Sequence, residues 1–462
     1  MLKTLIQKEL LQQLHSHKFV ISTVISICLM LLCLHISAEN YLKKLAEYDR
    51  AVSNQRLLLT QMESATEANV RQFDFRSFHD AIFRKPTPLS IFCQGMENQL
   101  GEVGQIDVLR VPFLAQPISK MGYFNQFDLN ELLERFFAEI DFVLVVQIIL
   151  SLMAVFIAFD LVTGEREAGV LKLTLAYNVA RLNLITAKWL AGNLILIISV
   201  LFGVLVGFIY LQFVQNILFS GAEIIRLAGL FLLSLLYLLF FFQLALFFSC
   251  LSRSSQQAII SLIWIWMLLL FIGPDLSIVF GKQIAPIPVL DFLETEERKL
   301  EQKFDHLKYQ TNDREERDKI REQEKQAEWQ LRQHYLNQLK SQKRTVVQIS
   351  SLSPASAFQF AAEYLAGTSV NDYEHFMERV RLENQNYSEI FKRTIMPKTF
   401  EEGRQRFLQL GNLLKNASSD SNRLSLQKSC VNASPFVFWL VLLNSILFTG
   451  TVVYFDRKTI VL

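Results

Sequence analysis

Motifs for common enzyme chemistry are absent from this 462-residue sequence. There is no G-x-x-x-x-G-K-S/T phosphate loop, because the Gly-Lys pair at 281–282 lacks both the upstream glycine and the hydroxyl residue. The sequence also has no H-E-x-x-H, C-x-x-C or G-x-S-x-G pattern. His79 beside Asp80 supplies only half of a metal site, and a solvated surface pair is the favoured interpretation. We therefore predict no catalytic residues, no metal site and no cofactor held by this chain.

Charge of either sign is also in short supply. Charged residues make up 19% of the chain, hydrophobic residues 51%, and the formal net charge is +2. A net charge this small produces no basic field that would attract nucleic acid. With 51% hydrophobic residues, the composition also differs clearly from that of a disordered chain. The uncharged residues are clustered, and their clustering indicates the class of protein.

Six apolar runs are long enough to cross about 30 Å of hydrocarbon, which takes about 20 helical residues. The predicted spans are 19–36, 140–159, 189–211, 227–251, 258–273 and 435–455. A single run of this kind is also compatible with a buried core helix, but six runs nearly free of charge make that alternative improbable. The sequence predicts a mainly α membrane protein with six transmembrane helices.

Lysine and arginine predict the orientation of these spans, because they are enriched in cytoplasmic segments. They are Lys3, Lys8 and Lys18 before the first span, Arg166, Lys172, Arg181 and Lys188 after the second, Arg253 after the fourth, and Arg457 and Lys458 after the sixth. The 212–225 loop has Glu223 and no lysine or arginine. We therefore expect cytoplasmic termini, with an interfacial helix at 1–18 and a short tail at 456–462. The first span is predicted to be an uncleaved anchor.

This orientation places two large segments outside the cytoplasm, 37–139 and 274–434. Each is large enough for a small domain, and together they are predicted to build an α-rich extracytoplasmic domain with room for some β structure. Within the second segment, 293–346 is charge-rich and has apolar residues at roughly heptad spacing, which predicts long helices. The balanced charges favour a solvated face, and self-association is the alternative.

The polar groups at depth within the spans are Gln243 and Asn444. Ion-driven transporters keep ionisable residues deep in the bilayer, whereas Asp141, Asp160 and Arg226 fall near span ends. Hydrogen bonding between helices is the favoured role for the two amides, and contact with a substrate is the alternative. If the protein moves a cargo, the energy is expected to come from elsewhere.

The segment 160–188 is predicted to lie on the cytoplasmic side between two spans. Its central part, "GEREAGVLKLTLA" at 164–176, opens with charge and then places Ala168, Leu171 and Leu175 on one helical face. Such a helix is typical of docking into a groove of a soluble partner. The alternative is that Glu165 and Arg166 only anchor the second span at the interface.

The stretch "DLVTGEREAGVLKLTLAYNVARLNLITAKWLAGN" at 160–193 resembles the segment after the second span of ABC-2 type permeases, the membrane subunits of ATP-binding-cassette transporters. The residues that match that pattern are Glu165, Arg166, Gly169, Arg181 and Lys188; Val170 stands where the family commonly has threonine. The N-terminal 19 residues are similar to the family's interfacial helix. The motifs at 84–97, 273–288 and 352–368 are similar to those of a bacterial subgroup with large outside insertions.

This resemblance implies a non-catalytic permease subunit of an exporter in the bacterial inner membrane. It implies a second permease, either another copy or a paralogue, and a cytoplasmic ATPase that holds ATP and Mg²⁺. The residues expected to couple to that ATPase are Glu165, Arg166, Gly169, Leu171 and Leu175. Whether the protein also binds an extracytoplasmic partner is left open. The alternative function is an ATP-driven envelope machine or scaffold that passes motion to its outside domains without moving cargo.

Two of the five cysteines, Cys93 and Cys430, are predicted to face the outside, where disulfides are permitted. A bond between them would tie the first outside segment to the start of the sixth span. The alternative is two unrelated thiols too far apart to meet.

Overall fold

The computed structural model describes residues 2–63, 81–95, 97, 103–105, 140–176, 180–284, 290–310, 313–394 and 424–458. Its α-helices are α1 (Leu2–Leu14), α2 (His17–Glu63), α3 (Phe142–Val145), α4 (Ser151–Ala158), α5 (Thr163–Glu167), α6 (Val170–Ala176), α7 (Arg181–Phe213), α8 (Gly221–Leu251), α9 (Ser255–Met267), α10 (Gly273–Ile284), α11 (Leu290–Gln310), α12 (Arg314–Ser350), α13 (Pro354–Ala366), α14 (Val370–Thr394) and α15 (Leu426–Lys458). Two strands, β1 (Ala81–Phe83) and β2 (Val103–Gln105), pair antiparallel with Ile82 opposite Gly104. A 3-10 turn covers Pro88–Ile91, and π-helical turns cover Val146–Leu150 and Leu268–Ile272.

Six helical stretches in the described part are long and apolar enough to cross a membrane. They are His17–Leu57, Phe142–Glu167, Arg181–Phe213, Gly221–Leu251, Ser255–Ile272 and Leu426–Arg457. Each overlaps one of the predicted runs. The prediction of a mainly helical protein with six candidate membrane helices is therefore confirmed.

The chain divides into two compact units, one of Met1–Ile263 with Phe358–Leu462 and one of Trp264–Ala357. In the larger unit α2 and α1 pack on α7, while α8 packs on α15 and α4. The helices approach closely where small residues face large ones. A Cβ added at Gly192 of α7 would lie 2.2 Å from Cζ of Phe242 on α8, and one at Gly207 would lie 2.3 Å from Cδ1 of Leu34 on α2. These glycines set the distance between α7 and its neighbours.

The two amides within the spans join three helices. The Gln243 amide nitrogen donates to the Asn444 backbone carbonyl at 2.7 Å, and its oxygen accepts from the Trp189 indole at 3.1 Å. The Asn444 side chain donates to the carbonyls of Leu440 at 2.9 Å and Leu236 at 3.2 Å. Polar groups in an apolar bundle are stabilised by such contacts between helices.

The motif at 84–97 packs against the end of α13 in the same unit. Arg84 donates to the carbonyl of Gly367 at 3.4 Å, and Thr368 Oγ1 donates to Cys93 Sγ at 3.8 Å. Gly95 has a φ of +49°, and a Cβ there would lie 2.7 Å from Thr368 Oγ1. A glycine is required at this position both by the backbone and by the close approach.

In the smaller unit, α12 packs against α10 and α11. Phe304 on α11 is buried, and Lys308 reaches across to Glu324 on α12 at 2.7 Å. The apolar residues at roughly heptad spacing therefore lie on helices that pair within the chain. Asp313 caps α12 by accepting a hydrogen bond from the backbone N–H of Glu315 at 3.2 Å.

We predict that Gly192→Ala destabilises the protein, because the added methyl group overlaps the ring of Phe242, which is fully buried. Overpacking of this kind costs about 1–3 kcal/mol in free energy of unfolding. The matched control is Gly203→Ala on the same helix, where the new Cβ would meet Met30 Cγ at 3.3 Å, a contact that the flexible methionine can relieve. Thermal unfolding in detergent measures both, and equal midpoints would contradict the account.

Candidate coupling site

The segment 164–176 is not one helix but two short ones. α5 ends at Glu167 and α6 begins at Val170, with Gly169 between them at a φ of +74°. A Cβ at Gly169 would meet nothing within 4 Å, so the constraint is the left-handed backbone and not lack of space. The glycine therefore permits a turn that re-aims α6 relative to α5.

A buried lysine lies behind α5. Lys188 on α7 is 1% exposed, and its ammonium contacts Glu165 Oε1 at 2.7 Å. The same ammonium donates to both carboxylate oxygens of Glu9 on α1, at 3.1 and 3.2 Å. Burying an ammonium is costly unless it is paired and hydrogen-bonded. The Lys188 ammonium is paired with the carboxylates of both Glu9 and Glu165. We name Glu9, Lys188 and Glu165 the lysine triad.

The lysine triad connects three elements that are far apart in sequence. It joins α1, α5 and α7, and the carboxylate of Glu9 is only 2% exposed. Two carboxylates and one ammonium leave a formal charge of −1, towards which Lys8 contributes an ammonium 3.9 Å from Glu9 Oε1. Any displacement of α5 relative to α1 or α7 separates buried opposite charges, which is energetically unfavourable.

A second set of contacts fixes α5 to the connection between α8 and α9. Ser249 Oγ accepts hydrogen bonds from the backbone of Val162 at 3.0 Å and Thr163 at 3.1 Å. The Arg166 guanidinium donates to the carbonyls of Cys250, at 3.2 Å, and Ser252. Arg166 is thus used within the chain, and α5 is held on two sides.

The exposed face of α6 differs from the predicted one. Leu171 is buried at 2% exposure and Leu175 is partly buried, so the face that they share lies against the chain itself. The exposed large apolar residues of α6 are Val170 and Leu173, with Leu173 at 64%. Leu171 already packs internally in this structure, and its role in coupling to an ATPase stays a prediction. Sequence spacing identified the amphipathic pattern, but it could not tell which side faces outward.

The predicted cysteine pair is not joined in this structure. Cys93 and Cys430 are both free thiols; Cys93 is buried and Cys430 is exposed. Burial raises the pKa of the Cys93 thiol well above its usual value, and the nearby carboxylates of Asp141 and Glu363 raise it further. The structure gives no support for a disulfide.

No cluster of three or more His, Cys, Asp or Glu side chains with metal-site geometry occurs among the residues that the structure describes. The residues of the candidate site that sequence reasoning missed are Glu9, Ser249 and Leu173. The signal for Glu9 was weak, because a glutamate in an amphipathic N-terminal helix is ordinarily solvated.

We predict that Lys188→Met is strongly destabilising, because it leaves the carboxylates of Glu9 and Glu165 without the buried ammonium that joins them. Breaking a buried pair by removing one partner costs about 3–5 kcal/mol in free energy of unfolding. The matched control is Lys18→Met, which removes the ion pair with Asp160, whose side chains are 50% and 30% exposed. That pair contributes about 0–1 kcal/mol.

Denaturant titration of the detergent-solubilised protein separates the two variants. The neutral combination Glu9→Gln, Lys188→Met and Glu165→Gln should recover most of the loss, because no charge is then left unpaired. If Lys188→Met is no less stable than Lys18→Met, the lysine triad does not hold these helices together.

The comparisons with known proteins agree with this architecture. Residues 3–459 match the family model for ABC-2 family transporter protein. A search of curated proteins found no match. The match extends over nearly the whole chain and includes nearly all of α1, the segment 164–176 and all six candidate membrane helices. This chain belongs to the ABC-2 transporter family.

Proposed function

We propose that the protein is a membrane-spanning permease subunit of an ABC-2 type exporter, which pairs with a second permease and is driven by a separate ATPase. The observation that carries the proposal is the lysine triad behind an exposed apolar helix. α6 offers Val170 and Leu173 to a partner, and α5 behind it is attached to α1, α7 and the α8–α9 connection. An arrangement of this kind suits transmission of force from a docked subunit to several spans.

In this proposal the ATPase grips the segment 164–176 and moves it when ATP binds. Motion of α6 passes through Gly169 to α5, and then takes two routes. Lys188 carries it to α7 and α1, while Ser249 and the carbonyls held by Arg166 carry it to α8. ATP and its Mg²⁺ are held by the partner chain, and this chain supplies the moving helices.

We place both termini and the segment 164–176 in the cytoplasm, with the segments 37–139 and 274–434 outside. The lysines and arginines that precede the first span and follow the second, fourth and sixth support this orientation. In a bacterium the membrane is then the inner one. α12, at 37 residues, is about 55 Å long and belongs to the second outside segment.

Whether cargo crosses the bilayer distinguishes an exporter from an envelope machine that only transmits motion. The amides of Gln243 and Asn444 are engaged in bonds between helices, so they do not indicate a substrate path. ATP-dependent flux in inverted vesicles supports the exporter. ATP-dependent motion of the outside segments without flux supports the machine.

We predict that a cysteine replacing Lys303, an exposed residue of α11, is labelled by an impermeant thiol reagent in cells with a permeabilised outer envelope. A cysteine replacing Leu182, which is exposed at the start of α7, should not be labelled. The experiment uses a Cys430→Ser background, because Cys430 is itself exposed and would react. The reverse labelling pattern contradicts the proposed orientation.

We predict that Glu165→Lys uncouples the complex. It places a second ammonium beside Lys188, whose contact with Glu165 is 2.7 Å, so α5 must move away from α7. Stimulation of the ATPase by the permease should fall about tenfold or more, because loss of one charge-assisted contact of 1.5–3 kcal/mol corresponds to that factor. Co-purification and ATP turnover measure the effect.

The matched control is Glu301→Lys, which reverses the charge of an exposed residue on α11 far along the chain from the segment. It should leave assembly and turnover at wild-type values. Membrane insertion of both variants is checked by the labelling assay above. Unchanged co-purification and turnover in Glu165→Lys would overturn the coupling role.

A further inference from the structure

A cavity of about 430 Å³ lies beside the lysine triad. It is bounded by α1, the start of α2, the ends of α4 and α5, and α7. Among its lining residues are Glu9, Gln13, Lys18, Asp160, Glu165 and Lys188. It therefore opens at the point where three candidate membrane helices end, next to the N-terminal helix.

Three polar atoms at this cavity are buried and have no hydrogen-bond partner. They are Oε2 of Glu165 and both Nε2 and Oε1 of Gln13. Leaving a buried donor or acceptor unpaired costs the desolvation energy of that group, so such atoms in a native protein call for a partner. The partner must accept from the Gln13 amide nitrogen, and it must donate to the Gln13 amide oxygen and to the Glu165 carboxylate.

The charges around the cavity are balanced. Three ammonium groups, from Lys8, Lys18 and Lys188, face three carboxylates, from Glu9, Asp160 and Glu165. A site for a simple anion would carry excess positive charge, and a site for a simple cation would carry excess negative charge. A lining of equal charges fits a ligand that itself has both signs.

We propose that this cavity binds the headgroup of a phospholipid that carries a primary ammonium and a phosphate. The ammonium donates to Glu165 Oε2 and Gln13 Oε1. The phosphate accepts from Gln13 Nε2 and from Lys8, whose side chain is half exposed. The apolar lining residues Phe19 and Ile157 contact the first carbons of the acyl chains.

The position of the cavity favours a lipid headgroup over a soluble zwitterion as the ligand. The residues around it lie in α1 and towards the ends of three apolar helices of 26 to 41 residues that are long enough to cross a membrane. Headgroups lie at that boundary, and Lys18, at the start of α2, is placed to reach them. The volume is within the range of about 300–1,000 Å³ that ligand pockets have. The inference depends on the membrane helices and not on an ATPase. Failure of lipid binding therefore leaves the proposed function standing, and failure of ATPase coupling leaves the lipid site standing.

The test compares two headgroups that differ only in methylation. The full-length protein is delipidated in detergent and placed in nanodiscs of phosphatidylglycerol with either phosphatidylethanolamine or phosphatidylcholine. Choline cannot donate an N–H bond to Glu165. We expect phosphatidylethanolamine to be retained in native mass spectrometry about tenfold better, the factor for one charge-assisted bond. Glu165→Gln and Gln13→Leu should each reduce the preference to less than about threefold.

The control is Gln7→Leu, an exposed position on α1 that does not line the cavity, which should keep the full preference. Equal retention of the two lipids overturns the proposal. So does a preference that persists in both Glu165→Gln and Gln13→Leu, since the site would then lie elsewhere. Equal competition by soluble glycerophosphoethanolamine also overturns it, because the acyl chains would then contribute nothing.

Discussion

The positions of α1 and of the segment 164–176 depend on one buried ammonium. Lys188 lies at the start of an apolar helix and is almost fully buried, so its charge is compensated within the protein by Glu9 and Glu165. Neither carboxylate is close to it in sequence. Because breaking a buried pair is far more costly than breaking a surface one, this contact fixes two otherwise peripheral elements to the bundle. The N-terminal helix is thereby attached to the helix bundle through a buried contact.

A second, partly buried network holds the beginnings of α8 and α15 together through Arg226. Arg226 donates to the carbonyls of Leu365 at 3.0 Å and Leu424 at 2.8 Å, and to Ser429 at 3.2 Å. Asp141 caps α3, accepting from Leu144 at 2.8 Å, and also accepts from Gln94 at 2.9 Å. Both residues are predicted from the sequence to lie near span ends. Asp141 thus contacts the motif at 84–97 through Gln94, and Arg226 contacts the end of α13 through Leu365.

The sequence was sufficient for features that depend on local composition. Apolar runs predicted the six candidate membrane helices, and the charged interruption at 164–176 marked the segment that connects them. Features that depend on contacts between distant residues were not accessible in this way. Glu9 is 179 positions from Lys188, and no periodicity indicates that they meet. The inward orientation of Leu171 likewise depends on where α5 is fixed, and the heptad-like spacing at 293–346 did not reveal that its helices pair with each other.

The central claim is that α1 and the segment 164–176 move as one body because Lys188 joins them. Pulsed electron paramagnetic resonance on the complex with its ATPase measures this directly. Spin labels are placed at exposed positions 7 on α1 and 172 on α6, with a reference label at exposed Val431. The account predicts that ATP leaves the distance between positions 7 and 172 unchanged while the distance from 172 to 431 shifts. A change of the first distance with ATP, at least as large as that of the second, would contradict it.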